Sequence, residues 1–202
     1  MSAKVAIVGH SHIRRLEEYL DGNNLRLPRA NIDIRFFSRG GLTVPGLFDP
    51  AILTPLLMFQ PQALVLSIGD NDINPFSSPH QICHDIFTAI NSLMQACPSI
   101  RFVSISQILP RHLGTSRFYF EGYNNLARTL NTLLLQECIN AGQPTTLRFC
   151  RYNEFEFNPV RLGINQSLYL PDGVHLNSDG YKILADRFRG VVTGIHKKML
   201  TL

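Results

Sequence analysis

Residues 4–20 read KVAIVGHSHIRRLEEYL, and this stretch decides the fold. Lys4–Val8 is a short, continuously apolar run of strand length. It stops at Gly9-His10-Ser11-His12, after which Ile13, Leu16 and Leu20 recur at helical spacing. A buried strand that turns directly into an amphipathic helix is the opening half of a βαβ unit.

The rest of the chain repeats that alternation. Ile32–Phe37 (IDIRFF) alternates as a second strand and is broken by Gly40-Gly41. Leu47–Phe59 is predicted as a helix interrupted by Pro50 and Pro55. Ala63–Ile68 (ALVLSI) has the unbroken apolarity of a strand buried on both faces. Pro79–Ala96 carries Ile82, Ile86, Ala89, Ile90 and Leu93 on one helical face, and Ile100–Ile105 is a fourth strand. Tyr123–Ala141 is a helix with Leu126, Leu130, Leu133 and Leu134 on one stripe and Gly142 just past its end. Thr146–Cys150 is a weaker fifth strand, and Arg151–Val174 has no clear period. Asn177–Lys197 closes the chain as a helix, capped by Asn177, with Tyr181, Leu184, Phe188, Val191 and Val192 inward. Strands alternating with helices of this length require a parallel sheet with right-handed crossovers and helices on both faces. The expectation is one three-layer α/β domain over residues 1–202.

Composition narrows the function classes. Apolar residues at 45% support a sizeable core, and charged residues at 17% are too few for a disordered chain. No apolar run reaches the roughly 18 residues of a membrane span. The run before Gly9 is shorter than a secretory signal needs, so a cytoplasmic location is expected. Cys83, Cys97, Cys138 and Cys150 match no zinc spacing and read as buried free thiols. The net charge is +4, and residues 1–40 hold +3 of it. Seven cations there (Lys4, Arg14, Arg15, Arg26, Arg29, Arg35, Arg39) stand against Glu17, Glu18, Asp21 and Asp33. That excess fits a solvated surface, and is compatible with weak contact to nucleic acid or an anionic membrane. No phosphate-binding glycine pattern follows the first strand, so no nucleotide cofactor is expected.

In open α/β sheets, reactive groups gather beyond the carboxyl ends of the strands. Three such ends carry unusual residues: Gly9-His10-Ser11-His12, Gly69-Asp70-Asn71-Asp72, and the Asp172-Gly173-Val174-His175 segment before the last helix. A serine hydroxyl becomes a nucleophile only with a base to take its proton and a third group to orient that base. Ser11, His175 and Asp172 supply those types. The Asn71 amide and a backbone N–H at Gly41 or Gly40 are candidate donors to an oxyanion.

In these blocks and their order, the chain resembles the SGNH hydrolase superfamily, the GDSL-type esterases and lipases. Gly9-His10-Ser11 stands for its Gly-Asp-Ser block, Gly41 (or Gly40) for its second-block glycine, Gly69-Asp70-Asn71-Asp72 for Gly-x-Asn-Asp, and Asp172-Gly173-Val174-His175 for Asp-x-x-His. The resemblance implies a flavodoxin-like five-stranded sheet of order 2-1-3-4-5. It implies Ser11 as nucleophile, His175 as base and Asp172 as its orienter. The oxyanion hole would be Ser11 N–H, Gly41 N–H and the Asn71 side chain, with Gly9, His10, Gly40, Gly69 and Asp72 in support. It implies an acyl-enzyme mechanism on a small or lipid-like ester, with no metal or organic cofactor. The strings VGHSHIRRL, SIGDNDI, ISQILPR and YNNLARTLN are further similar to esterase-like domains in the first open reading frame of LINE-type retrotransposons and related animal proteins. That likeness keeps a second reading open: a binding module for RNA, anionic lipid or protein. One departure is plain. His10 stands where the superfamily has Asp, and His12 adds a second imidazole, so an altered pH profile is expected.

Singly, these residues have ordinary readings. Ser11 at a strand–helix junction is a helix cap, Asn71 and Asp72 are turn formers, and His175 is a surface histidine. His10 and His12 form a His-x-His pair with no third metal ligand at sensible spacing. His80 and His84 read as a solvated face, His112 as a surface loop residue, and Arg14 and Arg15 as surface cations. Tyr152, Phe155, Phe157 and Tyr169 read equally as pocket wall or core.

Overall fold

The computed structural model describes residues 2–22, 25, 27, 31–112, 120–141, 146–155 and 164–201. Five strands form one parallel sheet of order β2-β1-β3-β4-β5. They are β1 (Ala3–Gly9), β2 (Ile32–Ser38), β3 (Ala63–Ser67), β4 (Phe102–Ser106) and β5 (Leu147–Cys150). Gly9 sits level with Ser38 on one side and Ser67 on the other, so three strands end together. Among the described residues five α-helices cover the faces: α1 (Ser11–Leu20), α2 (Pro50–Phe59), α3 (Pro79–Ala96), α4 (Phe120–Asn140) and α5 (Ser178–Met199).

The alternation of each strand sorts its side chains into two cores. Ala6, Val8, Leu64 and Leu66 join α2, α3 and α4 through Leu56, Ile86 and Leu130. Val5, Ile7, Ala63 and Val65 face the other way and join α1 and α5 through Ile13, Leu16, Leu184 and Phe188. Burial on both faces explains the continuous apolar runs of β1 and β3. All four cysteines are free and buried in this packing. Among the described residues no helix is long and apolar enough to cross a membrane.

Three local expectations are corrected. Pro50 does not interrupt a helix but starts one. Asp49 is the N-cap, its side chain accepts from Ala51 N, and Pro50 takes the first turn, where a missing N–H costs nothing. The residues before it form a separate turn, Pro45–Phe48. In α4 the buried stripe is Tyr123, Ala127, Leu130, Leu134 and Cys138, while Leu126 and Leu133 are only half-buried. The cause lies in Asn124 and Asn131. Asn131 exchanges two hydrogen bonds with the Ile108 backbone (2.8 and 2.9 Å), and Asn124 does the same with Arg111 (2.9 and 2.7 Å). These amides dock the loop after β4 and rotate the helix toward it. The predicted stop at Gly142 lies outside the described residues. Asn177 caps α5 as expected, accepting from Gly180 N at 3.1 Å.

Gly9 is where α1 meets the sheet. A Cβ there would stand 2.5 Å from both Ile13 Cγ1 and Ser67 O. The chain can swing from β1 into α1 this tightly only because residue 9 has no side chain.

Candidate active site

His10, not Ser11, is the N-cap residue of α1, and its side chain makes no capping bond. Ser11 is therefore the first helical residue, at the positive end of the helix and just beyond the strand ends. Its Oγ lies 3.2 Å from His175 Nε2. His175 Nδ1 lies 2.7 Å from Asp172 Oδ2. The other Asp172 oxygen accepts the backbone N–H groups of Val174 and His175, both at 2.9 Å. Partial burial draws the Asp172 carboxyl upward, but the His175 N–H, the imidazole and the Val174 N–H outweigh it. The carboxyl is held down at about 2 and stays ionised.

The turn that carries His175 is fastened from both sides. Gly173, at φ +65°, accepts from His112 N (3.0 Å) through its carbonyl, and Leu170 N donates to His175 O (2.8 Å). The Tyr169 hydroxyl donates to Pro110 O at 2.9 Å. His112 is thus no free loop residue; it ties the loop after β4 to the base-bearing turn, with its ring edge-on to Tyr169.

The loops after β2 and β3 are clasped to each other. Gly41 adopts φ +73° in a turn closed by Leu42 N to Arg39 O. Of the two adjacent glycines, only Gly41 has this left-handed backbone. Gly69 is likewise at φ +107°. Asn71 Nδ2 donates to Leu42 O (3.0 Å), and the Asp72 carboxylate accepts from Val44 N (3.1 and 3.2 Å). Asp72 therefore braces one loop against the other, and Asn71 is held beside the Gly40-Gly41 turn. An amide has two hydrogens, so this bond occupies one and leaves the second as a donor.

The two extra imidazoles, on either side of Ser11 in sequence, are both buried. His10 Nε2 bonds Asp70 Oδ2 at 2.8 Å. His12 Nδ1 lies 3.4 Å from the Tyr181 hydroxyl, and its ring centre is 5.8 Å from that of His175. Among the described residues no cluster of three or more His, Cys, Asp and Glu is gathered as a metal would require. Burial, which penalises the charged imidazole, pushes His12 down to about 3, with neighbouring His10 acting in the same direction. Its folded value lies below its unfolded value near 6.5, so the unfolded state binds more protons between those pH values. Stability is fully present above that window and is lost as pH falls through it, by roughly 3 kcal/mol at pH 4 at ~1.4 kcal/mol per unit. Urea unfolding at pH 7.5 and 4.5 checks this. His12→Gln is expected to lose much less of its midpoint on acidification than the wild type; equal losses would exclude His12 as the cause.

Asp70, Tyr181 and the α4 amides are structural partners that the motifs did not single out. The available signal was an acidic residue at position 70, immediately before Asn71, matched by an imidazole at position 10, immediately before Ser11. Of the other predicted residues, Arg14 pairs with Glu18 on the surface, and His80 and His84 are exposed. Tyr152, Phe155 and Tyr169 are core residues, and Phe155 also lines a cavity of about 430 Å³ between α4 and β5. Phe157, Arg26 and Arg29 lie outside the described residues.

A family model described as GDSL-like Lipase/Acylhydrolase matches residues 3–188. Similar solved structures include a GDSL-like lipase from Bacteroides thetaiotaomicron (TM-score 0.66, 15% identity, 95% of this chain and 88% of that one). A lipase from a goat rumen metagenome aligns with TM-score 0.65 and 12% identity over 94% of this chain and 97% of that one. A carbohydrate esterase family 3 protein from Talaromyces cellulolyticus aligns with TM-score 0.64 and 15% identity over 96% and 98%. At these identities the likeness is one of fold. No curated protein matches the chain by sequence.

Proposed function

We propose that this chain, which belongs to the GDSL-like lipase/acylhydrolase family, is a serine esterase for small or short-acyl esters that works through an acyl-enzyme. The observation that carries the reading is the relay Asp172–His175–Ser11, with contacts of 2.7 and 3.2 Å. Ser11 Oγ attacks the ester carbonyl while His175 Nε2 takes its proton. Asp172 holds Nδ1–H and so fixes the tautomer that leaves Nε2 free to accept. The developing oxyanion is met by the Ser11 and Gly41 N–H groups and the second Asn71 hydrogen. His175 then protonates the departing alkoxide. Water, deprotonated by the same nitrogen, releases the acid and restores Ser11. These steps use no metal or organic cofactor.

A fluorophosphonate probe tests the assignment. Phosphonylation is expected at Ser11, mapped by peptide mass, and abolished in Ser11→Ala; labelling elsewhere or none would overturn it. The reading as a module for RNA, anionic lipid or protein has less support. Three of the four described arginines in residues 1–40, Arg14, Arg35 and Arg39, are paired within the chain to Glu18, Asp33 and Asp49.

A further inference from the structure

Two ionisable residues stand immediately before the two reactive ones, on neighbouring strand ends. His10 precedes Ser11 after β1, and Asp70 precedes Asn71 after β3. Both point away from solvent: the side chains are 3% and 7% exposed, and they meet at 2.8 Å. The two residues that follow them reach partners at the rim, Ser11 at His175 and Asn71 at Leu42 O. Asp70 is held on further sides. Its carbonyl accepts from Arg111 at 3.4 Å, and its second oxygen lies 3.5 Å from the Tyr123 hydroxyl, which also reaches Leu109 O. Arg111 covers the Tyr123 ring at 3.9 Å.

We propose that the buried His10–Asp70 pair is a positioning device: a directional cross-link that sets the distance between the nucleophile turn and the oxyanion-donor turn. The proposal rests on Ser11 as the nucleophile and Asn71 as an oxyanion donor. Neither His10 nor Asp70 touches substrate. They act because each is one peptide unit from a group that does. Displacements below an ångström at such positions are enough to slow the reaction, since donors must meet the oxyanion at hydrogen-bond distance. An ordinary stabilising pair would do no more than hold the fold. A buried ion pair is dispensable for that, because two apolar residues of similar size often serve as well, whereas one unpaired charge does not.

That contrast supplies the test, in the full chain with a p-nitrophenyl ester. Asp70→Ala is expected to lower kcat by ten- to a hundredfold with KM changed less than threefold. Asp70→Asn, which keeps an acceptor for His10 Nε2–H, is expected to stay within about threefold of wild type in kcat. The apolar double replacement His10→Leu/Asp70→Val leaves no unpaired charge and is expected to refold to near wild-type thermal stability while kcat stays at least tenfold down. Three results would each overturn the proposal: full kcat in the folded double variant, full kcat in folded Asp70→Ala, or equal losses in Asp70→Asn and Asp70→Ala. Ser11→Ala is measured beside them. If it keeps wild-type activity, the nucleophile assignment fails; if it is inactive while the pair variants are not, only the cross-link does.

Discussion

Ser11→Ala is expected to lower kcat/KM for p-nitrophenyl acetate by about a thousandfold or more, with the unfolding midpoint almost unmoved. The size of the loss follows from the relay. In the proposed relay the Ser11 hydroxyl, 3.2 Å from His175 Nε2, is the attacking group, and without it no acyl-enzyme would form. The small effect on stability follows from the helix start. The N-cap position of α1 belongs to His10, so Ser11 is not satisfying an orphaned helix N–H through its side chain. Residual hydrolysis above the uncatalysed rate is expected from the oxyanion donors acting on water. Unchanged turnover in the variant would remove the esterase reading altogether.

Asn71→Ala is expected to cost roughly a hundred- to a thousandfold in kcat, with KM shifted only a few-fold. In the proposed role as an oxyanion donor, this amide meets a charge that exists only after attack, so its loss is expected in the rate and not in ground-state binding. The variant also loses the bond to Leu42 O, at a cost of about 1 kcal/mol in stability. The two effects separate by assaying well below the unfolding midpoint. A variant that shows only the lowered midpoint, with kcat intact, would make Asn71 a loop brace alone.

Much of this molecule is legible from residue order because the physics involved is local. The apolar runs of β1 and β3 and the period of α3 and α5 mark elements whose burial partners hardly matter to their identity. The four motif blocks sit at strand ends and before α5, where a parallel sheet collects polar groups. Other features depend on direction, which residue types do not encode. Pro50 reads as a breaker until Asp49 caps the helix and puts the proline in its first turn. Leu126 and Leu133 read as core until Asn124 and Asn131 turn α4 toward the loop after β4. Asp70 fills an unspecified motif position, and only its inward side chain makes it the partner of His10.

The chain's order of strands, helices and glycine-marked turns is written in its own periodicity, since hydrophobic spacing and backbone freedom act over a few neighbouring residues. The meeting of Ser11 with His175, 164 positions apart, and of His10 with Asp70, 60 apart, is a property of the assembled sheet. Strand register places those turns side by side, and the two cores lock them there. Distances of about 3 Å between such remote side chains come from that packing, not from any local preference of the chain.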